Sequence, residues 1–457
     1  MPYKNKKGLI GERASKLSQA EITQNELIGK VLLNMEIKDK NTLNHEINNL
    51  KKIDLNGINI RDCSNIEYIL AVDGSNSKHF VEINLTKFSF ITTGYLLLKN
   101  TVYQELVNKN IDPRIQANFN ESGFGIHSAF FPQNSRFSYK KQNLFNSVRE
   151  LIFDFFNSDV RTDYSAMKSL KYLMFKKWKK NKEKSRPFKC PFGCDNNIVF
   201  NYNSCHKNCE KCGKKIYITD YLGFHKIFNE TTDFIPDKFI TDYMLVHEHI
   251  TLLYWIIKTY LHSKRHGEDL FTSILFIKDG PLSLDFKYSN LIKDINELLV
   301  EIKKRNFKLQ LCGQEKTGNI VDYFDKYALD RKRDEEREKV PDQIIIINDS
   351  FVEKNISPSS MFFSKPNGRE TTYGSKICYV NNGDRLIFSI STGGEYVSDP
   401  DENTFDSLLE VVSMIKKIRT YAFSGAIYPI ALINNKVSIS KEPSSALLEK
   451  FLTDNIK

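Results

Sequence analysis

IEYILAVDGS, residues 66–75, is the stretch on which the reading of the fold turns. Its first seven residues form a nearly continuous apolar run rich in β formers, without the alternation of a half-exposed strand. Such a run reads as a strand buried on both faces. It stops at Asp73-Gly74-Ser75. A second stretch, SILFIKDGP at 273–281, repeats the pattern and ends in Asp279-Gly280-Pro281. In an open α/β sheet, side chains at strand ends line the active crevice. Two such strands laid side by side would bring Asp73 and Asp279 together. The alternative for either Asp-Gly is a plain hairpin turn.

Working outward, strands are expected at 307–313, 343–348, 376–382 and 386–391, with two strand-like stretches in 81–98 around Thr92-Thr93-Gly94. Helical patterns occupy 140–180, 241–262 (with Thr241 or Asp242 as cap), 289–305, 404–421 and 443–454. Residues 329–340 mix charges of both signs and read as a solvated helix or loop. Strands and helices alternate without a repeat period, which predicts an α/β core. Residues 1–65 are polar and helix-prone, with a weak apolar stripe at Leu27, Ile28, Val31 and Leu32, and read as an N-terminal helical arm.

The chain has 457 residues, enough for about three domains, and Lys+Arg 66 against Asp+Glu 56 leave a net charge of +10. Apolar residues at 40%, with 32 Phe and 21 Tyr, exclude a wholly disordered chain. No apolar run approaches the ~20 residues of a membrane span. The N-terminal segment is basic but lacks an apolar h-region, so a cytoplasmic protein with no membrane partner is expected.

Charge and cysteines are both concentrated. Residues 171–189, KYLMFKKWKKNKEKSRPFK, hold eight Lys and one Arg against one Glu. Tyr172, Phe175 and Trp178 interleave at helical spacing. One reading is a phosphate-contacting helix that uses Lys176, Lys177, Lys179 and Lys180; the other is a solvated helix leading into a linker. Five of the eight cysteines follow within 190–212. CPFGC and CEKC are spaced as the two knuckles of a zinc ribbon, with Gly193 and Gly213 suited to their turns. The expected ligands are Cys190, Cys194, Cys209 and Cys212, with Cys205 and His206 as competing donors. In a cytosolic chain such thiols favour metal over disulfide. Cys63, Cys312 and Cys378 read as small core residues.

Adjacent carboxylates at a strand end repel unless divalent cations bridge them. A carboxylate set holding Mg²⁺ or Mn²⁺ is the usual apparatus for cutting phosphodiesters. The third acid expected is Glu248, alone among Leu245, Val246, Ile250 and Leu252; it could instead pair with His247, His249 or a lysine. No P-loop is present, so any motor must be another chain.

Five motifs in order, IEYILAVDGSNS, the CP…C/CxxCGKKIYITD cluster, VHEHITLL, ILFIKDGPLSLDF and LCGQEKTGNIVDY, resemble the NurA family of DNA end-processing nucleases. The resemblance runs from GERASK near residue 11 to PSSALLEKF near the end, and is to the bacterial branch with an inserted zinc ribbon. It implies an α/β fold with an RNase H-like mixed-sheet core and flanking helices. Residues 1–65 would be the arm, 66–186 the first half of the core, 187–221 the ribbon, and 222–457 the second half with C-terminal helices. Asp73, Glu248 and Asp279 would hold catalytic Mn²⁺ or Mg²⁺, and Lys316 would contact a phosphate. The resemblance further implies a homodimer acting on DNA with a HerA-like hexameric ATPase, in end resection or phage defence. One departure stands out: archaeal members carry a metal-binding His after a YP motif, where this chain reads YPIALINNKV with Asn434 and Asn435. The contrasting readings are a non-catalytic DNA-binding adaptor with a degenerate site, and another RNase H-like phosphodiesterase acting on RNA or transposon ends.

Overall fold

The structure is a computed structural model that describes residues 22–35, 46–56, 65–77, 81–83, 86–100, 123–134, 137–158, 165–179, 182–325, 342–356, 370–381, 384–419, 425–439 and 444–455. The chain divides into two compact units, 1–49 and 50–457. In the first, helix α1 (Glu26–Leu33) is capped by Asn25, whose side chain accepts from the N–H groups of Leu27 and Ile28. Its expected apolar stripe, Leu27, Ile28, Val31 and Leu32, is exposed. The GERASK segment, Cys63, Lys180 and the mixed-charge segment 329–340 lie outside the described residues.

The second unit is built on one large mixed sheet. In chain order come β1 (Lys52–Asp54), β2 (Tyr68–Asn76), β3 (Val81–Ile83), β4 (Thr86–Lys99) and β5 (Gly123–Pro132), then helices α2 (Leu144–Asn157) and α3 (Ala166–Met174). Two short hairpins follow, β6 (Phe188–Lys189) with β7 (Asn197–Ile198) and β8 (His206–Asn208) with β9 (Lys215–Tyr217). The long helix α4 (Asp237–His266), β10 (Ile274–Asp279), α5 (Ser289–Lys304) and β11 (Gln310–Glu315) come next. The chain closes with β12 (Gln343–Ile347), α6 (Asp349–Asn355), β13 (Gly374–Asn381), β14 (Asp384–Ser391), α7 (Leu408–Ile418), α8 (Tyr428–Val437) and α9 (Ser444–Asn455).

Across the sheet the order is β1-β12-β13-β14-β11-β10-β2-β4, with β3 and β5 both paired to β4. β2, β10 and β11 run parallel, and every other described pairing is antiparallel. The unbroken apolar run of β2 has the reason expected of it. Leu70 and Val72 face a core built with α2 to α5, whereas Ile69 and Ala71 face a second core built with α7 and α8.

Several expectations need correction. Residues 86–99 form one strand that passes straight through Thr92-Thr93-Gly94. Gly94 is no break; a Cβ there would stand 2.7 Å from Val437 Cγ1, so glycine is what lets α8 dock on the sheet. Asp73-Gly74 is no hairpin turn, because β2 continues to Asn76 and stays paired with β4. Helix α4 starts four residues before Thr241, after the extended Pro236, and stops at Gly267, whose φ of 73° suits glycine. Asp242 is therefore no cap but a buried acceptor for Tyr288 and Lys287. The basic helix ends at Met174 because Phe175 leaves helical geometry and Lys176 takes a φ of 46°. Helix α8 was not read from its sequence. No described helix is long and apolar enough to cross a membrane.

The module between α3 and α4 is tied to the core through Arg149 of α2. Its buried guanidinium donates to both carboxylate oxygens of Asp220, at 2.8 and 2.5 Å, and to the Lys215 carbonyl at 2.9 Å. It also lies 4.5 Å from the Phe192 ring centre. Replacing Arg149 by Met would leave Asp220 buried and uncompensated, and is expected to cost about 3–5 kcal/mol in denaturant unfolding.

Candidate metal and phosphoryl-transfer site

The parallel register of β2 and β10 pairs Val72 with Lys278, so Asp73 and Asp279 are the next residues on adjoining strands. The two strands continue differently. β2 runs on, whereas Gly280 turns the chain with φ 80° and its N–H bonds to the Gln314 carbonyl at 2.6 Å. That turn passes so close over β11 that a Cβ on Gly313 would lie 2.4 Å from the Gly280 carbonyl oxygen. Glu248 arrives from α4. At Gly74 a Cβ would stand 2.6 Å from Glu248 Oε1 and 2.8 Å from Met244 Cγ, so the glycine after Asp73 is the gap into which the helix acid fits.

Three acids are thereby concentrated in a largely dry place. Asp73 and Glu248 are each 2% exposed. Asp73 Oδ1 accepts the Gly74 N–H at 2.7 Å, while its buried Oδ2 has no hydrogen-bond partner. Burial, and then repulsion from Asp279 and Glu248, pushes the Asp73 carboxyl well above the usual carboxylate range. Glu248 is pushed up to about 7, chiefly by burial, with Lys278 opposing and Asp279 adding.

Two lysines complete the group. Lys316 Nζ lies 3.0 Å from Asp279 Oδ2 and is part-exposed. Lys278 is fully buried, with Nζ 3.2 Å from Glu248 Oε2, and it donates to the Asp279 carbonyl. The partner of Glu248 is thus Lys278, not a neighbouring histidine. His247 meets Thr93 Oγ1 at 2.6 Å, and His249 meets the Tyr373 hydroxyl at 2.5 Å. Lys278 went unread in the sequence, although it is the lone charge in the apolar run SILFI before Asp279. Asn434 and Asn435 lie exposed on α8.

The donor chemistry fits a hard divalent cation: carboxylate oxygens only, two of them (Asp73 Oδ2 and Glu248 Oε2) buried without a hydrogen bond, with mutual repulsion that a cation would relieve.

The cysteines form a separate centre. Cys190 and Cys194 sit in the turn between β6 and β7, Cys209 and Cys212 in that between β8 and β9, with Gly193 and Gly213 at φ 68° and 72°. The four sulfurs lie within 4.8 Å of one another, with Cys190–Cys212 at 3.8 Å and Cys194–Cys209 at 3.5 Å. Four thiolates at ~2.3 Å from one zinc would be spaced about 3.8 Å apart. Burial works against the Cys209 thiolate, yet N–H groups of Cys212 and Lys211 and the Asn196 amide outweigh it and bring the thiol down to about 6. Cys205 and His206 lie outside the four-sulfur group.

The basic segment is mostly engaged within the protein. Lys176 is buried against Glu297, which also meets Lys179 at 3.3 Å and Arg186 at 2.9 Å. These residues line a cleft of about 670 Å³ with Lys293, Lys304, Glu301 and Glu370. Lys177 sits 3.7 Å over the Tyr202 ring, and Trp178 is buried.

No family model matches the chain, and no curated protein does. Solved structures similar to it include the NurA nuclease from Sulfolobus solfataricus, at 10% identity and TM-score 0.33 over 97% of this chain and 99% of that one. NurA bound to dAMP and manganese shares 13% identity at TM-score 0.30, over 96% and 98% of the two chains. NurA with manganese shares 12% at TM-score 0.29, over 97% and 99%. The likeness spans nearly the whole chain at low identity.

The histidines give the protein an acid limit. Burial holds His127 and His225 down to about 4, against ~6.5 when unfolded. Between those values the unfolded chain binds protons that the folded chain refuses, so stability is lost as pH falls from 6.5 to 4, by on the order of 3 kcal/mol for each. Thermal melts across this window are expected to show that fall, and His127→Phe to flatten it.

Proposed function

We propose that the chain is a divalent-metal-dependent nuclease that cuts phosphodiester bonds at DNA ends. One observation carries the reading. Asp73 and Glu248 are buried beside each other and Asp279 with too few partners, an arrangement that makes sense once a cation is bound. Asp73, Glu248 and Asp279 would hold Mn²⁺ or Mg²⁺. When bound, such an ion supplies Lewis-acid polarisation of the phosphodiester and lowers the pKa of the attacking water. The chain's own groups do the rest. The buried carboxylates orient the site, and Lys316, part-exposed beside Asp279, meets the non-bridging oxygens of the scissile phosphate as a point charge.

The order β5-β4-β2-β10-β11, three antiparallel strands followed by two parallel ones with the acid-bearing helix α4 entering before β10, supports an RNase H-like core. The sulfur spacing supports one structural Zn²⁺ on Cys190, Cys194, Cys209 and Cys212. DNA as the substrate, a homodimer, and a HerA-like hexameric ATPase as partner are supported by the ordered motifs quoted above. Lys179, exposed, and Lys177, half-buried over Tyr202, are the parts of the basic segment suited to meet a backbone.

Assayed on linear DNA with Mn²⁺, with and without the partner ATPase, wild type should cut. Asp73→Asn should lose about 100-fold or more, the scale on which one electrostatic stabiliser matters to an enzyme. Equal activity, or equal inertness under all conditions, would favour the adaptor reading that the absent C-terminal His suggests. For the cysteine centre, elemental analysis should find one zinc per chain. Cys209→Ser should lose it, with a lowered melting temperature because binding energy there is folding energy.

A further inference from the structure

We infer that the Lys278 ammonium takes the place of a second catalytic cation, so that the carboxylate site accepts one divalent ion per chain and not two. The inference rests on the metal-dependent reading above and adds to it the stoichiometry and the residue that sets it.

Lys278 is 0% exposed, on a strand whose preceding residues, Ile274 to Ile277, are all apolar. A buried ammonium persists only where it is paired, and this one is held from two directions. Its Nζ lies 3.2 Å from Glu248 Oε2 and donates to the Asp279 carbonyl, at the turn just beyond the second acid. A Cβ added at Gly280 would stand 3.3 Å from the same nitrogen, so the glycine keeps a side chain away from the buried charge. The two oxygens of Glu248 stand differently: Oε2 faces the Lys278 ammonium as an ion pair at 3.2 Å without a hydrogen bond, and Oε1 lies beside the Gly74 backbone next to Asp73. The fixed charge on the Oε2 side leaves Oε1 as the oxygen better placed for a cation.

The charge count agrees. Ionised around a bound cation, Asp73, Glu248 and Asp279 bring −3, and Lys278 and Lys316 bring +2, for a sum of −1. One divalent ion and one bound phosphodiester return the site to zero. A second divalent ion would leave +2 in a buried volume, and two-ion clamps need their ions only about 3.5–4 Å apart. Glu248 already faces a fixed positive charge, and like charges at that range repel strongly in a dry site. A lysine differs from an ion in that it cannot dissociate. It would hold Glu248 in place before the cation arrives and keep the site's charge balance independent of a second binding event. Among the described residues, only the cysteine group has three or more donor atoms mutually within 4.8 Å, so Asp73, Glu248 and Asp279 stand wider apart than that.

The test is a count of Mn²⁺ on the zinc-loaded full-length chain, by calorimetric titration with electron paramagnetic resonance of the bound ion. Only ions that disappear in Asp73→Asn are counted. One such ion in wild type and two in Lys278→Met are expected, the pair in the variant showing manganese–manganese coupling. Two coupled ions in wild type overturn the inference, and so does a folded Lys278→Met that still binds only one. No Asp73-dependent ion in wild type overturns the metal-dependent reading itself. If Lys278→Met fails to fold, the wild-type count still decides.

Discussion

Two carboxylates forced out of water beside a third are the constraint around which this structure is arranged. Asp73 and Asp279 sit on adjoining parallel strands, and Glu248 is driven into the gap left by Gly74. Left alone, such a group would take up protons or pull apart, and burial does hold Asp73 and Glu248 toward the protonated form. The fold meets the cost with Lys278 on one side and Lys316 on the other. It leaves one buried oxygen of Asp73 without a partner. The glycines are part of the same solution: those at 74 and 313 permit a helix and a backbone approach that a side chain would block, and Gly280 takes the φ of 80° that turns the chain.

The cysteine module is a second, independent solution to a problem of small size. Two hairpins with strands of two or three residues cannot bury a core of their own. Four sulfurs converge at their turns. The Arg149–Asp220 pair and the aromatic rings of Phe145, Phe192 and Tyr217 around it join the module to α2. Arg149 therefore links a module on which four sulfurs converge to a helix packed on the main sheet.

Much of the site was legible because it depends on local pattern. Continuous apolar runs ending in Asp-Gly marked β2 and β10, and an acid among apolar residues marked Glu248. What was misread depends on distant contacts. Gly94 looked like a break and is a docking point for α8, whose own residues had not been read as a helix. The basic segment left two readings open, a phosphate-contacting helix and a solvated one. In the fold Lys176 and Lys179 answer Glu297, which lies more than a hundred residues further along the chain.

By itself, the sequence determined which strands are buried on both faces, which acids stand beside glycine, and which four thiols are spaced to converge. Period, composition and spacing are properties of neighbouring residues. Only the tertiary structure decided that Lys278, and not His247 or His249, answers Glu248. A one-residue change of register would turn every side chain of β10 to its other face. Which face Lys278 occupies, and which turn of α4 meets it, is set by β2 on one side and the docking of a helix on the other, and neither is written in the residues around it.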